Sequence, residues 1–368
     1  MKKILVLLMV FALISTVAFA GGRRDSDPAF GELPAADVAA QGFNHYSGAR
    51  GYNELRDSLG PIDVRRLNQP LTIGFTAKAL ENEFWRMQAD GAEAAASELR
   101  SKGLNIEVVV AAAQGESDEM GQLAVFNNMV NRRYNAIMVS PISDGNLLSG
   151  VENAMREGIP MLVNNDAFMA QIRNTVGAWH LEGAEMAAKW IGDQLGGRGE
   201  VGVIMGLPRN EVGRLRGEGV VNYLTRNYPD IDVVGFQNGD WNRTRAKEIA
   251  DIWLRQFPSI RAIYAANDTM AMGVLEAVRE AGRMGQVLVV GCDGVSEALD
   301  SIRAGELSAT VNNYPFYMSQ VGIEMILRSL TGQELPKVIY TPQAVIDRTN
   351  ITMPDASVIN WTGFNIRQ

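Results

Sequence analysis

From Leu71 onward the chain alternates between short apolar runs rich in Val and Ile and longer stretches whose apolar positions recur at helical spacing. The runs Leu71–Ala77, Ile106–Ala112, Ala136–Ser140 and Met161–Asn165 read as strands. Helices are predicted between them over Phe84–Lys102, Ser117–Asn131 and Asn146–Arg156. Near-continuous hydrophobicity suits strands buried on both faces of a parallel sheet, and helical crossovers join such strands into β-α-β units. The rhythm resumes after Gln171–Ala178, with strands predicted at Val201–Met205, Ile231–Phe236, Ala262–Ala266, Val287–Gly291 and Leu307–Val311. The helices expected there are Leu181–Leu195, Val212–Asn227, Thr244–Gln256, Met270–Ala281 and one running from Asn312-Asn313-Tyr314-Pro315 to about Leu330. About ten strands in series are many for one twisted sheet. The fold class expected is therefore α/β, with two doubly wound parallel-sheet lobes. The duplication is of pattern, with no short repeat of letters.

The ends break this rhythm. Lys2 and Lys3 precede an uncharged run from Ile4 to Phe19 that closes on Ala18-Phe19-Ala20. A basic end, an apolar middle and a small-x-small ending make residues 1–20 a secretory signal peptide. The run falls short of the ~20 apolar residues that span a bilayer. No Cys follows it, so a lipid anchor has no attachment atom. Residues 21–69 read as an N-terminal leader, with a short helix expected within Asn53–Leu67, and residues 354–368 as a tail.

Composition narrows the chemistry. The 368 residues carry 34 basic and 42 acidic side chains, a net charge of −8. That balance argues against nucleic acid as a partner, since a binding face must neutralise phosphates. One Cys, Cys292, permits no internal disulfide and no cysteine-based zinc site, and it lies in an apolar segment as a buried small hydrophobe would. Two His, His45 and His180, leave little for histidine-centred catalysis. No metal and no cofactor are expected.

In open α/β sheets ligands sit beyond the carboxyl ends of the strands. The residues found there are Asn82-Glu83-Phe84-Trp85, Ser140-Pro141, Asn164-Asn165-Asp166, Arg214, Asp240-Trp241-Asn242, Asn267-Asp268, Asp293-Gly294 and Asn312-Asn313. Carboxylates accept from hydroxyls, Arg donates, and amides do both. Aromatic faces cover the C–H face of a sugar ring. The set suits a neutral polyhydroxylated ligand. Each member has a plainer reading, since Asn or Asp after a strand commonly caps a helix or makes a turn, and Phe84 and Trp85 could be core.

These segments resemble the periplasmic sugar-binding proteins of ABC transporters, of the ribose-binding type. Asn267-Asp268-Thr269-Met270-Ala271-Met272-Gly273 is similar to that family's Q/A-N-D-x-M-A-x-G, and Val289-Val290-Gly291-Cys292-Asp293-Gly294 to V-V-G-x-D-G. Arg214-Leu215-Arg216-Gly217-Glu218-Gly219 resembles R-x-R-G-E-G, Asn82-Glu83-Phe84-Trp85 resembles N-x-F-F/W, and Leu307-Ser308-Ala309-Thr310-Val311 resembles L-A-A-T-I/V. The likeness runs in order over about residues 70–350.

The resemblance implies the type I periplasmic binding protein fold: two lobes joined by three chain crossings, expected near Thr175–Ala178, Asn313–Tyr314 and Tyr340–Pro342. It divides the chain into an N-terminal lobe of 70–176 plus 314–340 and a C-terminal lobe of 177–313 plus 341–353. It assigns ligand contacts to Asn82, Phe84, Trp85, Ser140, Asn165 and Asp166 of the first lobe and to Arg214, Trp241 and Asn267 of the second, with Asp293 and Asn313 near the hinge. Phe84 or Trp85 on one side and Trp241 on the other would sandwich the ring. The sequence departs from the ribose pattern at Asn165-Asp166, where that family has Asp-Arg, at Ser140 for Asn and at Asn313 for Gln. Which hydroxyls are recognised changes accordingly, leaving another pentose, a hexose or a sugar alcohol open.

The implied activity is that of a monomeric periplasmic receptor. It closes on its sugar and docks on the membrane permease, with a chemoreceptor as a further candidate partner. ATP hydrolysis would belong to the transporter, because the chain has no G-x-x-x-x-G-K-[ST] loop. Three other readings would each leave a different mark. A lactose-repressor-type regulator would need an N-terminal helix-turn-helix where the signal peptide stands. A nucleotide-dependent dehydrogenase would need G-x-G-x-x-G after a strand. A receptor for a non-sugar solute, such as a furanosyl signalling molecule, differs only in its ligand.

Overall fold

The computed structural model describes residues 49–166 and 169–368. The expected signal peptide and most of the expected leader lie outside the described residues. Among those described, no helix is long and apolar enough to cross a membrane.

The first sheet takes strands from three separate parts of the chain. These are β1 (Arg50–Gly51), β3 (Leu71–Ala79), β4 (Ile106–Ala113), β5 (Ala136–Val139), β6 (Met161–Asn164), β7 (Asn174–Ala178) and β13 (Val338–Thr341). They lie in the order β1-β13-β7-β6-β5-β3-β4, and every pairing is parallel. The second sheet holds β8 (Arg198–Met205), β9 (Asp230–Asn238), β10 (Ile260–Ala265), β11 (Leu288–Asp293), β12 (Ala309–Asn312) and β14 (Ala344–Asp347) in the order β14-β12-β11-β10-β8-β9. Its pairings are parallel except at the edge, where β14 runs antiparallel to β12. In each sheet the order reverses beside one edge, with β4 and β9 outside β3 and β8 and the later strands added on the other side, as in doubly wound folds.

Helices cover both sheets. α2 (Glu83–Ser101), α3 (Glu119–Asn131) and α4 (Leu148–Arg156) follow the strands of the first. α5 (His180–Leu195), α6 (Glu211–Asn227), α7 (Arg243–Gln256), α8 (Asp268–Glu280) and α9 (Ser296–Ala304) pack on the second. α10 (Pro315–Leu330) returns to the first lobe and crosses α2 closely at Gly91, where a Cβ would stand 2.0 Å from the Phe316 carbonyl oxygen. The buried faces are those the apolar runs marked. Ile73, Phe75, Ile137 and Val163 lie fully inside the first lobe, and Val203, Ile204, Ile263 and Val290 inside the second.

The chain changes sheets between β7 and β8, between β12 and α10, and between β13 and β14. At the second change Tyr314 holds a left-handed conformation, φ 51°, immediately before Pro315.

The expected leader and tail are not loose here. β1 extends the first sheet, α1 (Tyr52–Leu59) follows it, and β2 (Ile62–Asp63) pairs with β15 (Ile366–Arg367). The Tyr52 hydroxyl donates to Glu324 Oε2 at 2.7 Å inside α10, and Arg328 pairs with the same carboxylate at 2.6 Å. Trp361 stacks on Tyr52 and meets Phe364 edge-on. The leader as read from the sequence therefore ends too late: residues 50–66 belong to the packed body.

Candidate functional site

A crevice separates the two lobes at the carboxyl ends of their strands. Lys78, Asn82, Phe84, Trp85, Glu116 and Asn165 line its floor from the first sheet's side. Val212, Arg216, Trp241, Asn267 and Asp293 face them from the second.

The sequence fixes several of these side chains locally. Asn82, Asn242 and Asn267 stand in extended conformation one residue before α2, α7 and α8. Their side-chain oxygens accept from the backbone N–H of Phe84, Arg245 and Met270, at 3.0, 2.9 and 2.9 Å. Capping satisfies amides that a helix leaves bare, and it also locks each Asn at the crevice edge. At Asn82 and Asn267 the capping role is the one seen, and both residues also line the floor. Asn82 Nδ2, left over from the cap, donates to Glu116 at 2.9 Å.

The aromatic walls are held from behind. Phe84 and Trp85 meet edge to face with centroids 4.9 Å apart. The Trp85 indole N–H donates to Glu116 at 2.5 Å, and the Lys78 ammonium lies 5.5 Å from the Trp85 ring centre. Trp241 backs onto Gly206, where a Cβ would stand 2.1 Å from its ring. Only glycine leaves the indole that seat.

Two buried ion pairs set the electrostatics. Lys78 Nζ lies 2.8 Å from Asp166 Oδ1, and Arg216 Nη1 lies 2.8 Å from Asp293 Oδ1. Arg216 also donates to the Ala266 carbonyl at 2.9 Å and, through Nε, to His180 Nδ1 at 3.3 Å. His180 Nε2 lies 2.6 Å from the Asn165 carbonyl oxygen. Burial pushes the imidazole well below its ordinary pKa, and the two bonds assign its proton to Nε2. Burial also raises the Asp166 and Asp293 carboxyls, against the pull of Lys78 and Arg216 respectively. It lifts Glu116 to about 7, with Lys78 opposing.

Three buried polar atoms at this floor or just behind it have no partner among the described residues: Asn165 Oδ1 and Trp241 Nε1 at the floor, and Asp166 Oδ2 behind it. Each unsatisfied group costs about 1–3 kcal/mol. Two acceptors and one donor among aromatic faces ask for a ligand that both donates and accepts hydrogen bonds. Backbone strain gathers at the same place. Asn165, Asp240, Trp241 and Asp293 all have positive φ, at 67°, 52°, 61° and 134°. Such conformations cost of order 1–3 kcal/mol each and persist where the surroundings impose them.

Of the eleven residues expected from the sequence, the floor gathers Asn82, Phe84, Trp85, Asn165, Trp241, Asn267 and Asp293. Three others stand behind it. Asp166 supports Lys78. Ser140 donates to the Asn164 carbonyl at 2.5 Å, tying β5 to β6. Asn313 lies 3.5 Å from Asp293 Oδ1 and accepts from Gln343 at 2.6 Å.

Arg214 is displaced from its expected place. Its guanidinium lies on the crevice rim, 2.8 Å from Asp144 Oδ2 of the other lobe, while Arg216 occupies the floor. Two residues advance a helix by about 200°, so the two arginines must face opposite ways. Lys78, Glu116, Val212 and Arg216 line the floor and are not in the expected set. A lysine inside the apolar strand Thr76-Ala77-Lys78-Ala79 was the available signal for the first. Glu116 sits in the turn Gln114-Gly115-Glu116-Ser117, which carries no periodicity.

The periplasmic binding protein domain family matches residues 73–334, more than half of the chain. The D-allose-binding periplasmic protein of Escherichia coli is 36% identical over 277 residues, covering 70% of this chain and 85% of that one. The ribose import binding protein of Bacillus subtilis is 30% identical over 272 residues, covering 74% and 85%. A solved ABC transporter solute-binding protein from Actinobacillus succinogenes with bound D-allose superposes with a TM-score of 0.72 at 28% identity, over 76% of this chain and 99% of that one. The order of strands, the crevice at their carboxyl ends and this likeness agree: the chain belongs to the periplasmic binding protein family.

Proposed function

We propose that the protein is the periplasmic solute receptor of an ABC importer and that its crevice takes a sugar, with an aldohexose such as D-allose as the first candidate. The observation that carries this reading is the pairing of aromatic walls with unpartnered Asn165 Oδ1 and Trp241 Nε1 at one floor and Asp166 Oδ2 just behind it. Ring hydroxyls would donate to the two oxygens and accept from the indole, while Phe84, Trp85 and Trp241 cover the C–H faces. The names of the relatives, which include allose, ribose and xylitol binders, point the same way.

The floor leaves only about 30 Å³ for a water-sized sphere, room for one or two waters. A ring therefore enters by parting the lobes, and contacts to both lobes then favour reclosure around it. One chain supplies both sides of the crevice, so a monomer suffices. The closed complex would dock on the permease, and residues 1–20 would direct export to the periplasm.

A thermal-shift panel of D-allose, D-ribose, xylitol and myo-inositol tests the reading. A true ligand stabilises by RT ln(1 + [L]/Kd), about 2.7 kcal/mol at a hundredfold excess over Kd. A rise in melting temperature with at least one of them, and no chemical change in the sugar, is expected. No shift with any sugar would remove this function.

A further inference from the structure

We propose that the crevice holds a second subsite outside the floor and that the physiological ligand is an O-substituted sugar, a glycoside or disaccharide whose first ring fills the floor. This deepens the sugar-receptor reading and rests on it.

The floor opens outward past Asn82, Glu116 and Trp241 into a vestibule of about 650 Å³, to be compared with about 30 Å³ for the floor on the same measure. Small-molecule sites fall in the range of roughly 300–1,000 Å³. The vestibule is not the gape of an open cleft, because the lobes already touch on both flanks. On one, Arg209 of the second lobe lies 2.5 Å from Glu119 of the first, and Arg214 lies 2.8 Å from Asp144. On the other, the Glu83 carboxylate accepts from the backbone N–H of Ser296 and Glu297, at 3.2 and 3.3 Å. The lobes are thus already in contact on both sides of the vestibule, and parting them enlarges the cavity.

Its lining says what would fill it. Three arginines border the vestibule, but each is committed to carboxylates: Arg209 to Glu119, Arg243 to Glu276 and Glu297, Arg245 to Asp240. The charges are balanced, so a phosphate or carboxylate substituent finds no surplus cation. Hydroxyl and amide groups remain, from Ser117, Thr269 and Asn242, together with an edge of Trp241. Neutral hydrogen-bonding groups beside an indole fit a second sugar ring.

The test is calorimetric titration of the full mature chain and of Ser117→Trp, an exposed position on the vestibule wall. The probes are D-allose, D-ribose, the methyl glycosides of each, and the disaccharides lactose, melibiose, maltose and cellobiose. At least one glycoside or disaccharide should bind as tightly as the best free monosaccharide or more tightly. Ser117→Trp should weaken that ligand at least tenfold and leave the free monosaccharide within twofold. If a monosaccharide binds and every substituted sugar binds at least tenfold more weakly, the second subsite is wrong while the receptor reading stands. Equal weakening of both ligands by Ser117→Trp would also overturn it. Binding of none of these sugars would remove the receptor reading and the subsite together.

Discussion

Arg214 and Arg216 stand two residues apart on one helix and live in different media. Arg216 is buried, its charge matched by Asp293 and its donors shared with Ala266 and His180. Arg214 reaches across the rim to Asp144, partly in water. Breaking a buried pair strands a charge and costs several kcal/mol, whereas an exposed pair contributes at most about 1 kcal/mol and is screened by salt. On the proposed reading the buried pair at the floor bears on what binds, and the exposed pair at the rim on how readily the lobes close.

The largest effect expected is at the floor. Arg216→Ala should destabilise the fold by about 3–5 kcal/mol, read by denaturant unfolding, and abolish measurable sugar binding. Replacing Arg216 and Asp293 together by Leu should recover much of the stability and none of the binding. A double variant that bound sugar normally would break the distinction. Trp241→Ala comes next, with a loss of sugar affinity of about 1–3 kcal/mol from ring burial forgone, measured by calorimetry.

Glu116 gives a pH signature. Its pKa is raised to about 7 in the fold, mainly by burial. The unfolded chain therefore binds fewer protons than the folded chain between the usual carboxylate range and pH 7. Stability contributed through this group is full at the acid end of that window and falls as pH rises through it. Glu116→Gln should flatten that fall relative to the wild type, with other raised carboxyls such as Asp268 common to both proteins. An unchanged slope would show that Glu116 titrates normally. The smallest effect expected is Arg214→Ala, which should change sugar affinity by no more than about 1 kcal/mol, and by less as salt is raised. A loss matching that of Arg216→Ala would erase the contrast between rim and floor.

The comparison also shows what the sequence could reveal. Strands buried on both faces, such as β3 and β5, announce themselves as apolar runs, and their order along the chain yields the α/β class. Floor residues at the end of a strand or within three residues past it, Asn82, Trp241, Asn267 and Asp293, are legible by position alone. Arg216 was not, because choosing between two arginines on one helix depends on which face is turned inward. Lys78 was hidden inside a strand whose neighbours are apolar, and its charge is tolerated only because Asp166, 88 residues later, lies beside it. The short strands β13, β14 and β15 and the helix α9 passed unread. Their stability comes from partners distant in sequence, as in the parallel pairing of β15 with β2.

The most direct test of the central claim is a crystal structure of the protein with D-allose, or with whichever sugar gives the greatest thermal shift. The account predicts the ring between Trp241 and the Phe84–Trp85 pair, with hydroxyls on Asn165 Oδ1 and Asp166 Oδ2 and an acceptor on Trp241 Nε1. A sugar found outside this crevice, or one inside it that leaves those three atoms without partners, would contradict it.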